Sequence, residues 1–484
     1  MKVGIDLGTT TSTIVKLGPD GRPIPPYFTT DSLGAWRNGK FYFGEDAHRL
    51  LQDESLPAFP IRDIKLSLGN KSIKLGGVSV DVEEIVSKLF VFLADKVAPG
   101  QLIEEAVIGT PVNVSEVHRH ALLRSAEQAG FSVVRLVYEP TSALVGAIEP
   151  RNMSRHSTVL VVDWGGGTLD LSLVRKENDC LREIAVDGDV SRLGGSQMDA
   201  RILQKMLDRA PGVKAQLVSI SDGFDRLKIE VEKEKKDILE SVSPETDDVE
   251  ISPFWLGKTL ALKGMDVVEV AKDMAGNAAE QILEFFGRSG IGVADVTHVL
   301  FAGGVCRCPL IRERILEVLP DVELISTSIP QQLTGYGCAR LLSYGFELRL
   351  ARDFGVRQSD NSFCRILAAG HDIGLGTYRT ADFLVTDPLA SEAIFDFGIV
   401  PPSNESIGML AKSSDGFASL KVLYIRCQQR EGQLKGGSFD LVKVYLGISH
   451  ALAVTVFAES NVGDASVTDT ISGIPFLIRL NGLE

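Results

Sequence analysis

The sequence predicts an α/β protein of two related halves, followed by a smaller β-rich domain. Strand and helix patterns alternate through the first part of the chain, and a strand–turn–strand unit occurs there twice. After about Tyr344, long helical patterns give way to alternating strand patterns. The length of 484 residues also exceeds what one hydrophobic core usually supports. We therefore place a first domain at residues 1–344, a connecting segment at 345–353 and a β-rich domain at 354–484.

The repeated unit is a buried strand with an aspartate near its end, a turn of glycine and threonine, and a returning strand. The first copy lies at residues 3–17 and the second at 157–174. This internal similarity indicates two related lobes, each presenting a turn to a shared cleft.

Predicted strands and helices alternate in the sequence around the two repeats. Residues 106–111 and 133–137 predict strands, and residues 116–129 predict a helix that stops before Gly130. Another helix opens at Glu139, with proline as a natural early residue. Residues 222–241 have the pattern of an exposed amphipathic helix.

A phosphate-loop layout of strand, diglycine and helix appears near residues 296–309, with Pro309 starting the helix. In the final domain, alternation at residues 421–425 and 452–458 predicts strands.

Composition excludes several function classes. The net charge of -14 disfavours phosphate-backbone binding, so nucleic acid is an unfavoured partner. The start lacks the layout of a signal peptide and the apolar stretches are too short to span a bilayer, so no membrane partner is expected. The six cysteines include no CxxC pair, which is typical of a reducing compartment. We expect a cytoplasmic protein.

Two further segments resemble known functional motifs, a metal site and a Walker A loop, but both are incomplete. Cys306 and Cys308 could form half of a metal site, but buried thiols are favoured because no second Cys/His pair lies at ligand spacing. Residues 252–259 end like a Walker A loop but carry Ser252 where its first glycine belongs.

Glycine–threonine turns suit a triphosphate, because consecutive backbone N–H groups and threonine hydroxyls can converge on it without a lysine cluster. Asp6 and Asp163 would lie close to such phosphates, where two carboxylates would repel the nucleotide unless a cation stood between them. Mg²⁺ resolves this conflict, since it takes few direct protein ligands and keeps most of its waters. The alternative for each aspartate is a turn cap. The metal interpretation is preferred because both residues lie in apolar strands.

These motifs resemble those of the DnaK-type chaperones, the seventy-kilodalton heat-shock family. Residues 4–12 are similar to the family's first phosphate motif, and residues 162–172 to its second. The Glu-Pro-Thr segment at 139–141, the loop at 188–199, the diglycine at 303–304 and the segment 335–339 follow in the family's order. The resemblance spans residues 2 to about 342 and implies an actin-like two-lobed ATPase domain.

The resemblance also implies roles for particular residues. Asp6 and Asp163 would place hydrated Mg²⁺, Lys65 would neutralise charge on the transferring phosphoryl group, and Glu139 with Asp163 would align the attacking water. Pro111 resembles the proline through which nucleotide state is passed on. Catalysis is thus assigned to Lys65, Glu139, Asp163 and Thr168. ATP or ADP binding is assigned to Gly8, Thr9, Thr10, Gly165, Gly166, Gly167, Gly194, Gly195, Glu232, Lys235, Gly303, Gly304 and Arg307.

Some positions depart from the family. Val305 and Cys306 replace small hydroxyl residues after the diglycine, and Gln331 stands where the family has an acid. The last domain is similar to the substrate-binding β-sandwich, most clearly at residues 441–459, and leaves no room for the helical lid.

The sequence therefore predicts a chaperone-like ATPase that hydrolyses Mg-ATP slowly and binds extended or unfolded polypeptide. Such an activity allows for a co-chaperone or nucleotide exchange factor. The alternatives are an ATP-binding interaction or regulatory protein without folding activity, and a small-molecule kinase, which the absence of a second carboxylate motif disfavours.

Overall fold

The computed structural model describes most of the chain. The described residues are 1–25, 27–52, 58–187, 193–220, 223–240, 247–370, 378–385, 392–400, 410–411, 417–426, 440–460 and 465–481. They divide into two compact units, the first made of Met1–Asn178 and Ile184–Tyr344 and the second of Asp179–Glu183 and Gly345–Glu484. The second unit therefore includes a short piece from the middle of the chain, which the sequence did not predict.

The helices found among the described residues all lie in the first unit. They are α1 (Glu45–Gln52), α2 (Ile64–Ser67), α3 (Val82–Val97), α4 (Glu116–Gln128), α5 (Glu139–Ala147), α6 (Gly195–Asp208), α7 (Pro211–Ser219), α8 (Gly223–Glu240), α9 (Gly264–Ser289), α10 (Pro309–Leu316) and α11 (Leu333–Tyr344).

The strands that precede Tyr344 are numbered β1 to β17. In chain order they are β1 (Lys2–Leu7), β2 (Thr11–Lys16), β3 (Phe28–Asp31), β4 (Gly34–Arg37), β5 (Lys40–Phe43), β6 (Phe59–Ile61), β7 (Ser72–Leu75), β8 (Val78–Asp81), β9 (Glu105–Thr110), β10 (Val133–Tyr138), β11 (His156–Trp164), β12 (Leu169–Glu177), β13 (Cys180–Asp187), β14 (Val249–Ile251), β15 (Leu260–Leu262), β16 (His298–Ala302) and β17 (Glu323–Ile325).

Two sheets of the first unit have the same topology. In one, the strands lie in the order β10-β9-β1-β2-β3, with β10, β9 and β1 parallel and β2 antiparallel to β1. In the other, β17, β16 and β11 are parallel and β12 runs antiparallel to β11. Each sheet therefore places a β-hairpin after a central parallel strand, and the turn of that hairpin lies at the strand's carboxyl end.

Local sequence explains these elements. Val3, Ile5 and Leu7 of β1 lie on the same face of the strand and are essentially fully buried, so this face packs against the core. Helix α3 begins at Asp81, whose carboxylate accepts a hydrogen bond from the Glu84 amide, and α4 begins at Ser115 in the same way. The predicted helices and strands between residues 105 and 147 are confirmed to within two residues.

The second unit consists of strands. They are β18 (Phe346–Leu350), β19 (Asp353–Arg357), β20 (Phe363–Leu367), β21 (Tyr378–Val385), β22 (Glu392–Val400), β23 (Leu410–Ala411), β24 (Ala418–Arg426), β25 (Asp440–Ser449), β26 (Ala453–Ser460), β27 (Ser466–Ile471) and β28 (Phe476–Leu480), together with the first residues of β13.

Two antiparallel sheets form the body of this unit, in the orders β23-β20-β19-β22-β24 and β21-β25-β26-β27. Phe383 of β21 contacts Phe395 of β22 edge-on, with ring centroids 5.3 Å apart, so the two sheets share an aromatic core. This arrangement is sandwich-like.

The segment 345–353, predicted as a connection, contains a paired strand. Phe346–Leu350 forms β18, which pairs along its length with Phe476–Leu480 of β28. Strand β28 also pairs with Cys180–Arg182. Whether residues 345–353 connect the domains functionally, and whether 1–344 and 354–484 fold independently, stay predictions.

Candidate functional site

The first unit contains an open cleft at the two hairpin turns. Its lining combines glycine backbone, threonine hydroxyls and charged side chains, a combination that suits a nucleotide. The predicted residues that line it are Asp6, Gly8, Thr9, Thr10, Lys65, Glu139, Asp163, Gly165, Gly166, Gly167, Thr168, Gly195, Glu232, Lys235, Gly303, Gly304 and Arg307.

The two turns face each other in direct contact. A Cβ atom placed on Gly166 would lie 1.4 Å from Thr10 Oγ1, and one on Gly167 would lie 2.8 Å from Thr9 Oγ1. The glycines of the second turn are therefore required by the threonines of the first. This arrangement directs both sets of backbone N–H groups and hydroxyls into one space.

A third segment supports the second turn. The amides of Gly195 and Ser196 donate to the carbonyls of Gly165 and Gly166, at 3.0 and 2.7 Å. Gly194 does not line the cleft but packs so tightly on Gly167 that an added Cβ would collide with its backbone. Helix α6 begins here, so its N-terminal end points at the turn.

The acidic and basic groups of the site lie beneath the turns. Lys65 Nζ is 2.7 Å from Glu139 Oε1, and both side chains are almost buried. Burial alone would lower the pKa of Lys65, but Glu139, Asp6 and Asp163 raise it well above its usual value, so Lys65 remains a cation. Burial raises the pKa of Glu139 to about 8, although Lys65 lies beside it.

The two aspartates are destabilised as carboxylates. Burial raises the pKa of Asp6, although Lys65 opposes the change. Burial, with the charges of Asp170 and Asp6, raises the pKa of Asp163 to about 7. A bound cation would remove this penalty, so the donor set fits Mg²⁺. Among the described residues there is no cluster of three or more acidic, histidine or cysteine side chains that could hold a metal ion.

One face of helix α8 forms the far wall of the cleft. Glu232, Lys235, Lys236 and Leu239 all line it, at the i, i+3, i+4, i+7 spacing of a helix face. Lys235 Nζ lies 2.5 Å from the buried carboxylate of Asp199 and 3.3 Å from the Gly195 carbonyl. It thus connects α8 to α6, the helix whose N-terminal end supports the second turn.

Glu232 is likewise paired within the protein. Its carboxylate accepts from Arg62 at 2.8 Å and from Lys236 at 3.0 Å. At the diglycine end, Arg307 Nη1 donates to Gln331 Oε1 at 3.4 Å. Ion pairs and one amide contact therefore link the segments that line this part of the cleft.

Several lining residues were not assigned from the sequence. The helical spacing from Glu232 would have identified Lys236 and Leu239. Most of the others lie within or beside the motifs already identified but were given no role, namely Thr11, Asp170, Met198, Asp199, Val305, Cys308 and Gln331. Pro330 and Thr334 had no such signal. Pro111 lies outside this cleft, in a small cavity that Glu139 and Asp163 also line. The roles of all site residues stay predictions.

Comparison with known proteins agrees with this architecture. The family model described as Hsp70 protein matches residues 37–341, well over half of the chain. The chain belongs to the Hsp70 family. Membership implies an actin-like two-lobed ATPase fold and a chaperone-like, ATP-binding protein, and confirms the resemblance to DnaK-type chaperones.

The similar Hsp70-family proteins are distant relatives. The chain is 25% identical to the chaperone protein DnaK of Mycoplasmoides gallisepticum over 366 residues, covering 70% of this chain and 59% of the relative. It is 27% identical to the DnaK of Metamycoplasma hominis and 28% identical to that of Mycoplasmopsis synoviae, covering 65% and 66% of this chain and 54% of each relative. The chain thus spans little more than half the length of the curated relatives that it matches.

Each helix among the described residues is either too short or too polar to cross a bilayer.

Proposed function

We propose that this Hsp70-family protein hydrolyses Mg-ATP slowly and couples its nucleotide state to the binding of extended or unfolded polypeptide. The observation that supports this most directly is the contact between the two turns, with Lys65, Glu139 and two aspartates beneath them. A co-chaperone or nucleotide exchange factor is part of the proposal, because nucleotide turnover in such a cycle needs partners that change its rate.

The residues suit phosphoryl transfer to water. Backbone N–H groups and hydroxyls of the two turns would hold the β- and γ-phosphates, and Lys65 would neutralise charge on the transferring group. Mg²⁺, held by water and the phosphates near Asp6 and Asp163, would supply further charge neutralisation.

The proton of the attacking water needs an acceptor. As the water oxygen bonds to the γ-phosphorus, its proton passes to Glu139 or Asp163. The bond to the bridging oxygen breaks, and ADP and phosphate leave. Carboxylates with a pKa near neutral suit this role.

A direct test measures steady-state ATP hydrolysis by the full chain, with and without an unfolded peptide. We expect peptide to raise hydrolysis in the wild type, and Lys65→Ala to lower kcat by about 10³-fold with little change in nucleotide affinity. Lys88→Ala is the matched control, since Lys88 is exposed. Wild-type hydrolysis that does not depend on Lys65 would contradict the catalytic assignment.

A second function is favoured by the extent of the family match. The match ends at residue 341, before the second unit of the chain resumes at Gly345. An ATP-binding interaction or regulatory protein without folding activity would retain the cleft and use the β-rich unit for another partner. Magnesium-dependent ATP binding without any stimulation by unfolded peptide would favour this alternative.

A further inference from the structure

The lining of the cleft becomes more apolar away from the hairpin turns. The larger apolar side chains among its described residues come from α6, α8, the diglycine segment 303–308 and the segment 330–331. They are Met198, Leu239, Val305, Cys308 and Pro330. We call the lining residues of these four segments the apolar end of the cleft. Apolar walls with a few polar groups suit the flat ring of a nucleobase, whereas the turns suit phosphate.

The Gln331 side chain lies over the diglycine at the apolar end. A Cβ atom placed on Gly304 would lie 2.8 Å from Gln331 Nε2, so glycine at this position leaves room for the amide. The neighbouring backbone is held to the same segment, since the Gly303 amide donates to the Pro330 carbonyl at 3.1 Å. Contacts between the two segments therefore fix where the Gln331 amide lies.

The orientation of this amide follows from its second neighbour. Arg307 Nη1 donates to Gln331 Oε1 at 3.4 Å. A guanidinium group carries donors only, so the oxygen of the amide must be the atom that faces it. The amide nitrogen then lies over Gly304, which also lines the cleft, and it offers hydrogens rather than lone pairs.

The carboxylates of the apolar end are held by cations. Asp199 lies 2.5 Å from the amine of Lys235. Glu232 is paired with Arg62 at 2.8 Å and with Lys236 at 3.0 Å. Each carboxylate or amide oxygen among the described side chains of the apolar end therefore already has a cationic partner, whereas the Gln331 amide nitrogen adds a donor.

This excess of donors distinguishes two kinds of purine. Adenine carries an amino group at C6, which needs an acceptor, whereas guanine and hypoxanthine carry a carbonyl at C6, which needs a donor. An amino group that meets a donor loses its hydrogen bonds to water without replacing them, and this loss weakens binding. A C6 carbonyl would be satisfied by the same donor.

We propose that Gln331 determines the base selectivity of the cleft, which binds 6-oxopurine nucleotides at least as tightly as adenine nucleotides. The inference rests on the proposed nucleotide function and widens its substrate class. A glutamate at position 331 would keep one oxygen toward Arg307 and present the other over Gly304. This variant would offer the acceptor that the amino group of adenine needs.

The test measures the affinities of ADP and inosine diphosphate for the full chain by calorimetry, with Mg²⁺ present. The two nucleotides differ only at C6 and N1 of the purine. We expect inosine diphosphate to bind the wild type at least as tightly as ADP, and Gln331→Glu to shift the affinity ratio about tenfold toward ADP. Gln332→Glu is the matched control, because the same change falls on the next residue, which does not line the cleft.

The wild-type ratio tests the proposal without any variant. ADP bound about threefold or more tightly than inosine diphosphate would overturn it and leave the nucleotide site in place. An unchanged ratio in Gln331→Glu, or an equal shift in Gln332→Glu, would also overturn it, because the amide would then have no part in selectivity. Binding of neither nucleotide would reject the proposed function and this inference together. The expected ratios without hydrolysis of either triphosphate would support the selectivity and reject only the ATPase.

Discussion

The two hairpin turns of the cleft occupy equivalent places in sheets of the same topology, but they are built differently. The first turn presents bulky threonines, Thr9 and Thr10, whereas the second presents glycines where those threonines need space. The first is supported by one serine, since Ser32 Oγ donates to the Gly8 carbonyl at 2.7 Å. The second is supported by a helix terminus and by a buried ion pair behind it.

This difference shows that the turns are complementary surfaces rather than two copies of one phosphate loop. The threonine side chains of the first turn leave room only for glycine at the facing positions of the second turn. The second turn also depends on more distant segments, so we expect substitutions there to have larger effects. The predictions below test this asymmetry.

The largest effect is expected from Gly166→Ala, because the new Cβ would lie 1.4 Å from Thr10 Oγ1 and one turn would have to move. We expect Mg-ATP affinity, measured by calorimetry, to fall about 10³-fold. Gly165→Ala is the matched control, since nothing lies within 4 Å of a Cβ there, and its loss should be about tenfold or less. Equal losses would show that the turns are not in contact.

Lys235→Met should have the next largest effect. Asp199 is 1% exposed and would lose the lysine amine that lies 2.5 Å from its carboxylate. We expect the free energy of unfolding to fall by about 3 kcal/mol, as for other broken buried ion pairs. Urea unfolding of the nucleotide-free chain measures it. Lys233→Met, at a 72% exposed side chain on the same helix, should change it by less than about 0.5 kcal/mol. Similar midpoints for both variants would refute the role of the pair.

The contribution of Asp163, the aspartate that precedes the second turn, to the stability of the folded protein should depend on pH. The pKa of Asp163 is raised to about 7 in the folded protein, so the native state binds its proton more tightly than the unfolded state. This contribution to stability is complete below pH ~4 and is lost as pH rises to about 7. Without nucleotide, Asp163→Asn should therefore stabilise the protein at pH 8 by about 2 kcal/mol relative to wild type, and less at pH 5. Thermal unfolding at both values measures this difference, and a pH-independent difference would contradict the burial of Asp163 as a carboxylate.

Ser32→Ala should have the smallest effect. It removes the hydrogen bond to the Gly8 carbonyl and the contact with the Ser12 hydroxyl at 2.8 Å. We expect a loss of about 1 kcal/mol in the free energy of unfolding. Ser79→Ala removes an exposed hydroxyl contact and should have almost no effect. A loss as large as that of Lys235→Met would remove the proposed asymmetry.

Much of this architecture could be predicted from the sequence because the signals are local. A buried strand, an aspartate and a glycine–threonine turn lie within a few residues of one another, so both hairpins and the likeness to DnaK-type chaperones could be identified. Helix starts at Glu116 and Glu139 follow from capping and proline rules.

Only the tertiary structure decided which distant groups meet. Lys235 was assigned to ATP or ADP binding, and only the structure shows that its amine lies against Asp199, which is 36 positions earlier in the chain. His118 lies in a helix that the sequence predicts, but only the structure shows that its side chain is buried. The inclusion of Asp179–Glu183 in the second unit and the pairing of β18 with β28 were likewise not predicted. Such contacts depend on how whole elements pack, and neither hydrophobic periodicity nor a short motif encodes the partner that a side chain finds across the fold.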